Sequence, residues 1–176
     1  MPPLACLLTW TTYGTWFRGD PRGSVVAVNR WGTPFAAPDA DRVAGDMARL
    51  ADPPLILTAD ARRAVESAVR DVCGHRGWTL HAVNARSNHI HVVVAGLHTP
   101  EKIMTDLKAW STRRLREAGV VSADRRVWTK HGSTRYLFEQ SSVERAADYV
   151  VRMQDMKRAA RHSGEMSEPR KPGADA

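Results

Sequence analysis

His89, Ile90 and His91 lie in the run Ser87-Asn88-His89-Ile90-His91-Val92-Val93-Val94. In an extended strand alternate side chains share a face. Both imidazoles therefore project together, and Ile90, Val92 and Val94 project the other way. Two imidazoles at i and i+2 can grip one divalent cation. The plainer reading is a pair of exposed histidines on a half-buried strand. The apolar phasing favours the first reading, because the buried face is complete without the histidines. His81, on the preceding strand-like run, reads as a supporting or surface residue. His75, His98 and His162 have loop or tail settings.

Tyr149, in Ala146-Ala147-Asp148-Tyr149-Val150-Val151, lies on a helix whose apolar stripe is Val143, Ala147, Val150 and Val151. At about 100° per residue it falls about 200° from Ala147, off that stripe. Such a tyrosine is either an ordinary amphipathic surface residue or one aimed at a site, and the helix alone does not choose.

A third feature is charge. The chain has 176 residues, a net charge of +7 and 26 Lys+Arg against 19 Asp+Glu. The excess is uneven: residues 106–135 hold Lys108, Arg113, Arg114, Arg116, Arg125, Arg126, Lys130 and Arg135 against three acids. Trp110, Trp128 and Tyr136 lie among them, and His131 sits in the turn after Lys130. Cations interleaved with aromatics suit single-stranded nucleic acid, where charge follows the backbone and rings stack on bases. The competing reading is a solvated helix face with Trp110 in the core.

These residues need elements to position them. Leu4 to Thr12 alternates as a strand with Leu4, Cys6, Leu8 and Trp10 on one face. Residues 13–57 carry many Gly and Pro and read as a long connection with one short helix near Arg42–Leu50. Thr58 caps a helix from about Ala59 to Cys73 that Gly74 or Gly77 ends. Trp78–Ala85 and His89–Ala95 form a hairpin around Arg86-Ser87-Asn88. Thr99-Pro100-Glu101 starts a helix to about Ala118. Val127–Phe138 holds a strand pair or a bent strand. Ser141 and Glu144 form a capping box that opens a last helix to about Arg158. The order predicts an α+β fold, a ferredoxin-like split β-α-β-β-α-β antiparallel sheet with helices on one face and a C-terminal helix carrying Tyr149. Residues 1–158 are expected to form one catalytic domain, and 159–176 a mobile polar tail.

Several classes fall away. Cys6 and Cys73 are too few and too far apart for a disulfide scaffold or thiolate zinc site, and read as buried hydrophobes. No apolar run reaches a membrane span, and Met1-Pro2-Pro3-Leu4 lacks a basic leader, so the expected location is cytoplasmic.

With those residues in hand, the chain resembles the HUH single-tyrosine transposases, and more closely their REP-associated tyrosine transposase branch. The resemblance runs in order over roughly residues 4–156. Asn88 to Val94 on a strand, Lys108 on the next helix, and Tyr149 with Gln154 on a late helix carry it, together with Leu8 to Trp16 and Val127 to Ser133. A His-x-His pair alone is a weak motif; followed about sixty residues later by a helical tyrosine it is much stronger.

The resemblance implies an enzyme that cleaves and rejoins single-stranded, hairpin-forming DNA through a 5′-phosphotyrosine intermediate. His89 and His91 would hold Mg²⁺ or Mn²⁺, and Tyr149 would attack the phosphorus. Lys108, Arg113, Arg114, Arg116, Lys130, His131 and Arg135 are the expected DNA contacts. The partner is DNA rather than a membrane, and the active form is a monomer or a homodimer. Hard cations want an oxygen ligand beside two imidazoles. The resemblance points to Gln154, yet a spacing of five lies about 140° round an ideal helix. Either the helix is distorted there, or the two groups approach from different angles, or Gln154 is not the ligand.

Two other readings compete. One is a domesticated protein of the same fold that binds nucleic acid without cutting. The other is a small-molecule phosphoesterase; a histidine-triad hydrolase would want histidine where Val93 stands, and a two-motif phosphoesterase would want a second His-x-Thr/Ser that His81-Ala82-Val83 does not supply.

Overall fold

A computed structural model describes residues 1–23 and 36–153. Gln154, His162 and the whole 159–176 segment lie outside the described residues. Strands β1 (Ala5–Thr11), β2 (Thr79–Ala85), β3 (His89–Ala95) and β4 (Ser133–Leu137) form one sheet in the order β2-β3-β1-β4. Every neighbouring pair is antiparallel. β3 is inserted between β1 and β2, which is the expected split βαβ arrangement.

Side-chain alternation sorts the sheet into two faces. Cys6, Leu8 and Trp10 of β1 and Ile90, Val92 and Val94 of β3 join the larger core with helices α2 (Ala59–Arg76) and α3 (Pro100–Glu117). Val65, Val69 and Val72 of α2 and Ile103, Leu107 and Leu115 of α3 are the stripes that meet it. Truncating one such leucine to alanine costs about 2–5 kcal/mol. A smaller core on the opposite face gathers Ala5, Ala82, Val93, Leu137, Val143 and Val150. Helix α4 (Gln140–Asp148) covers that face.

The local signals act as read. Thr58 and Thr99 accept the N-terminal amides of α2 and α3, Pro100 takes the first position of α3, and Gly77 ends α2 in the left-handed region at φ 66°. Cys6 and Cys73 are buried. The 127–138 stretch is one bent edge strand: Trp128 bridges Thr12, and β4 then pairs with Ala5–Thr9. Gly132 makes the bend possible, since a Cβ there would stand 2.6 Å from the Thr9 carbonyl oxygen. The short helix in the long connection is α1 (Ala40–Ala48), and Leu55 and Leu57 after it enter the larger core.

The last helix departs from expectation at its start. It begins at Gln140 with Glu139 as the capping position and no side-chain cap, so the Ser141–Glu144 capping box does not form. Gln140 Nε2 donates to Glu144 at 3.0 Å, which takes the carboxylate the box required.

Candidate active site

The face under α4 presents a row of polar side chains across three strands. The register aligns Asn84 of β2 with His91 of β3, and His91 with Thr9 of β1; one step along, Thr11 pairs with His89. Paired residues in a sheet share a face, so these groups and α4 lie on the same side. The His89 and His91 rings stand edge to face with centroids 4.8 Å apart.

Each imidazole is bonded through Nδ1. Thr9 Oγ1 lies 2.8 Å from His91 Nδ1, and Asn88 Oδ1 lies 2.8 Å from His89 Nδ1. An amide oxygen only accepts, so His89 donates from Nδ1. Burial, reinforced by the charges of His89 and Arg86, lowers His91 to about 3. Its ring is therefore neutral at ordinary pH, the form that binds a metal.

Tyr149 reaches this pair. Its ring stands edge to face with His91 at 6.4 Å between centroids, and it is 36% exposed. The helix changes winding at this residue: Tyr149–Met153 is a π-helical segment. Asn84 Nδ2 donates to the Val150 carbonyl at 2.9 Å, diverting an acceptor that an α-helix would use internally. Val150, fully buried, anchors the turn in the smaller core. A π-helix bonds i to i+5, which is the spacing from Tyr149 to Gln154. The helix is distorted over Tyr149–Met153, and Gln154 lies beyond the described residues.

Asn84→Ala should then let the segment relax toward α-helical winding. The expected cost is about 1 kcal/mol in thermal unfolding. If the Tyr149–His91 edge contact depends on that winding, the variant also loses the cross-relaxation between the two rings in nuclear magnetic resonance; an unchanged ring contact would separate the two.

The predicted cations do not form one track. Lys108 donates to the Thr129 and His131 carbonyls at 3.0 and 3.2 Å, and burial lowers its pKa. Thr129 in turn meets Thr11 at 3.0 Å between hydroxyls. Lys108 thereby holds the bent edge strand against the end of β1 where His89 pairs. Lys130 and His131 are exposed on that strand, and Arg135, opposite Leu7 in the register, shares the histidine face. Arg113, Arg114 and Arg116 ride on α3, beyond the sheet from the histidines. There Arg113 pairs with Glu117, and Arg114 ties α3 to Asp71 and Ser67 of α2. His81 is exposed beside an irregularity in the β2–β3 register, and Trp110 is half-buried against His75.

Sequence reasoning missed Thr9, Thr11, Asn84, Arg62 and Arg86. Thr9 and Thr11 carried a signal, being the polar phase of β1 opposite Leu8 and Trp10. A cleft of about 410 Å³ adjoins His89, lined by Arg62, Arg86 and Ser87 at the start of α2. Arg62 Nε is buried without a hydrogen-bond partner among the described residues. The described residues contain no cluster of three His, Cys, Asp or Glu side chains able to hold a metal. Two imidazoles with ring centroids 4.8 Å apart could share a cation only with oxygen ligands supplied from elsewhere.

The family described as "Transposase IS200 like" matches residues 55–152. No curated protein matches. Among solved structures, a REP-associated tyrosine transposase bound to a REP hairpin superposes with a TM-score of 0.48 and 9% identity, over 90% of this chain and 70% of that one. A candidate transposase from Deinococcus radiodurans R1 gives a TM-score of 0.44 and 14% identity, over 90% and 92% of the two chains. No helix among the described residues is long and apolar enough to cross a membrane.

Proposed function

The chain belongs to the IS200-like transposase family, and from that footing we propose that it cleaves and rejoins single-stranded, hairpin-forming DNA through a tyrosine–DNA link. The observation that carries this reading is Tyr149 standing edge to face with His91, whose ring adjoins that of His89. A candidate nucleophile beside an imidazole pair on one sheet face is an arrangement suited to phosphodiester cleavage.

The Tyr149 hydroxyl attacks the phosphorus, forming a phenolic P–O bond as the bond to O3′ breaks. The phenol proton is released, the departing O3′ takes up one, and DNA is left as a 5′-phosphotyrosine and a free 3′-OH. Attack by a 3′-OH on that link reverses the step. The number of phosphodiester bonds is conserved, so no nucleotide cofactor is needed. His89 and His91 would hold Mg²⁺ or Mn²⁺, which supplies Lewis-acid stabilisation of charge on the phosphate oxygens. Gln154 is the proposed oxygen-bearing third ligand, and the π winding that begins at Tyr149 supports that spacing. Thr9 and Asn88 keep both imidazoles oriented. Arg62 and Arg86 offer charge to flanking phosphates, and Lys130, His131 and Arg135 continue it along the edge strand.

Incubation with end-labelled single-stranded hairpins and Mn²⁺ tests the reading. The expected result is a denaturation-resistant protein–DNA adduct that chelation prevents. Hairpins bound but never captured, across varied sequences, would replace this proposal with the binding-only reading.

A further inference from the structure

A second cleft, of about 530 Å³, opens beside the bent edge strand and is lined by Tyr13, Trp16, Phe17, Trp128, Arg126 and Lys130. Its four aromatic side chains are half-buried, and both cations are exposed. We propose that it is a binding site for an unpaired nucleobase of the DNA strand that crosses the histidine pair. The proposal rests on the DNA reading above and adds to it the place where a base is held.

Four aromatic rings around one open cleft give flat apolar surface, which any base can stack on. Two guanidinium or ammonium groups at its rim give the charge that a nucleotide's phosphate needs. The rings are also set in advance. Trp16 Nε1 donates to the Gly23 carbonyl at 3.0 Å, and the Arg22 guanidinium lies 4.4 Å from the Trp16 ring centroid. Arg22 is itself fixed by buried Asp20 and by the Thr15 carbonyl at 2.8 Å. Trp128 Nε1 is bonded to Thr112 Oγ1 at 2.9 Å, and the Tyr13 hydroxyl accepts from the Ala51 amide at 3.1 Å. An apolar filler for the core would not need cations at its mouth or rings held by their polar ends.

Position gives the second argument. Thr129 lines the cleft and bonds Thr11, which pairs with His89. The cleft is thus two strand spacings, about 10 Å, from His89. That is about three stacked nucleotide steps at 3.4 Å. The arginine-lined cleft lies at the same end of the sheet, on the β2 side of His89. A strand laid around this end of the sheet would meet both clefts with His89 between them.

The test separates stacking from cleavage by using Tyr149→Phe protein in EDTA. Two probes are compared: a dA 12-mer carrying one 2-aminopurine, and a 12-mer backbone lacking bases. Stacking is worth 1–3 kcal/mol per base, roughly a 5- to 150-fold preference. The parent should quench the 2-aminopurine and bind the dA 12-mer at least about tenfold more tightly than the abasic strand. Trp16→Ala and Tyr13→Ala should cut that preference to about twofold while abasic binding persists; Trp16→Phe should keep it. An unchanged preference in both alanine variants overturns the proposal, as does an equal loss of both strands. If the parent binds base-bearing and abasic strands alike, the base site fails and the DNA reading survives. If it binds neither, both fail.

Discussion

Tyr149→Phe should abolish covalent capture of DNA, lowering adduct formation by about four orders of magnitude or more, the scale on which loss of an attacking residue acts. The substitution keeps the ring, so the edge contact with His91 and the burial of neighbouring Val150 survive, and the protein should unfold at its usual temperature. Only the oxygen that would bond to phosphorus is removed. The other two tyrosines cannot take over. Tyr136 of β4 pairs with Cys6, which places it on the opposite face of the sheet, where it lies near Phe138. Tyr13 has its hydroxyl on the Ala51 amide in the aromatic cleft. Tyr136→Phe should therefore form the adduct at the normal rate. The measurement is denaturing electrophoresis of labelled hairpin DNA after reaction with Mn²⁺. A persistent adduct in Tyr149→Phe would remove Tyr149 from the nucleophile's role.

His89→Ala and His91→Ala should each cost two to four orders of magnitude in adduct formation, and the double variant little more than either alone. The two rings are 4.8 Å apart, and on the proposed reading they serve one cation, so losing either undoes most of what the pair provides. Binding of hairpin DNA in EDTA should change by less than about threefold, because on the proposed reading phosphate contacts come from other side chains. Mn²⁺ binding, read by electron paramagnetic resonance, should fall in both single variants. Additive losses in the double variant would mean that the histidines act separately and do not share a metal. His91→Ala needs a folding control, since His91 bonds Thr9 across the β1–β3 ladder.

Much of the scaffold was legible from local signals. Thr58, Thr99-Pro100 and Gly77 mark helix ends through bonds that close within a few residues, so neighbouring sequence suffices to place them. The period-two pattern from His89 to Val94 put both imidazoles on one face, because strand geometry leaves no other option. The capping box at Ser141 and Glu144 failed for an equally local reason: Gln140 offers Glu144 another partner and the helix starts earlier.

What the sequence by itself determined was the set of chemical parts and their phase along each element: a histidine pair on one face, a tyrosine off its helix's stripe, and a cationic stretch with aromatics. The tertiary structure alone decided which parts meet. Alignment of Asn84, His91 and Thr9 depends on a ladder between strands far apart in the chain. Tyr149 meets His91 at a helix end that takes π winding and is bonded to Asn84 of β2. The cations of residues 106–135 are continuous in sequence but divided in space, since α3 covers one face of the sheet while Arg135 of β4 projects from the other. Proximity along the chain sets charge density; only packing sets which charges can face the same phosphate.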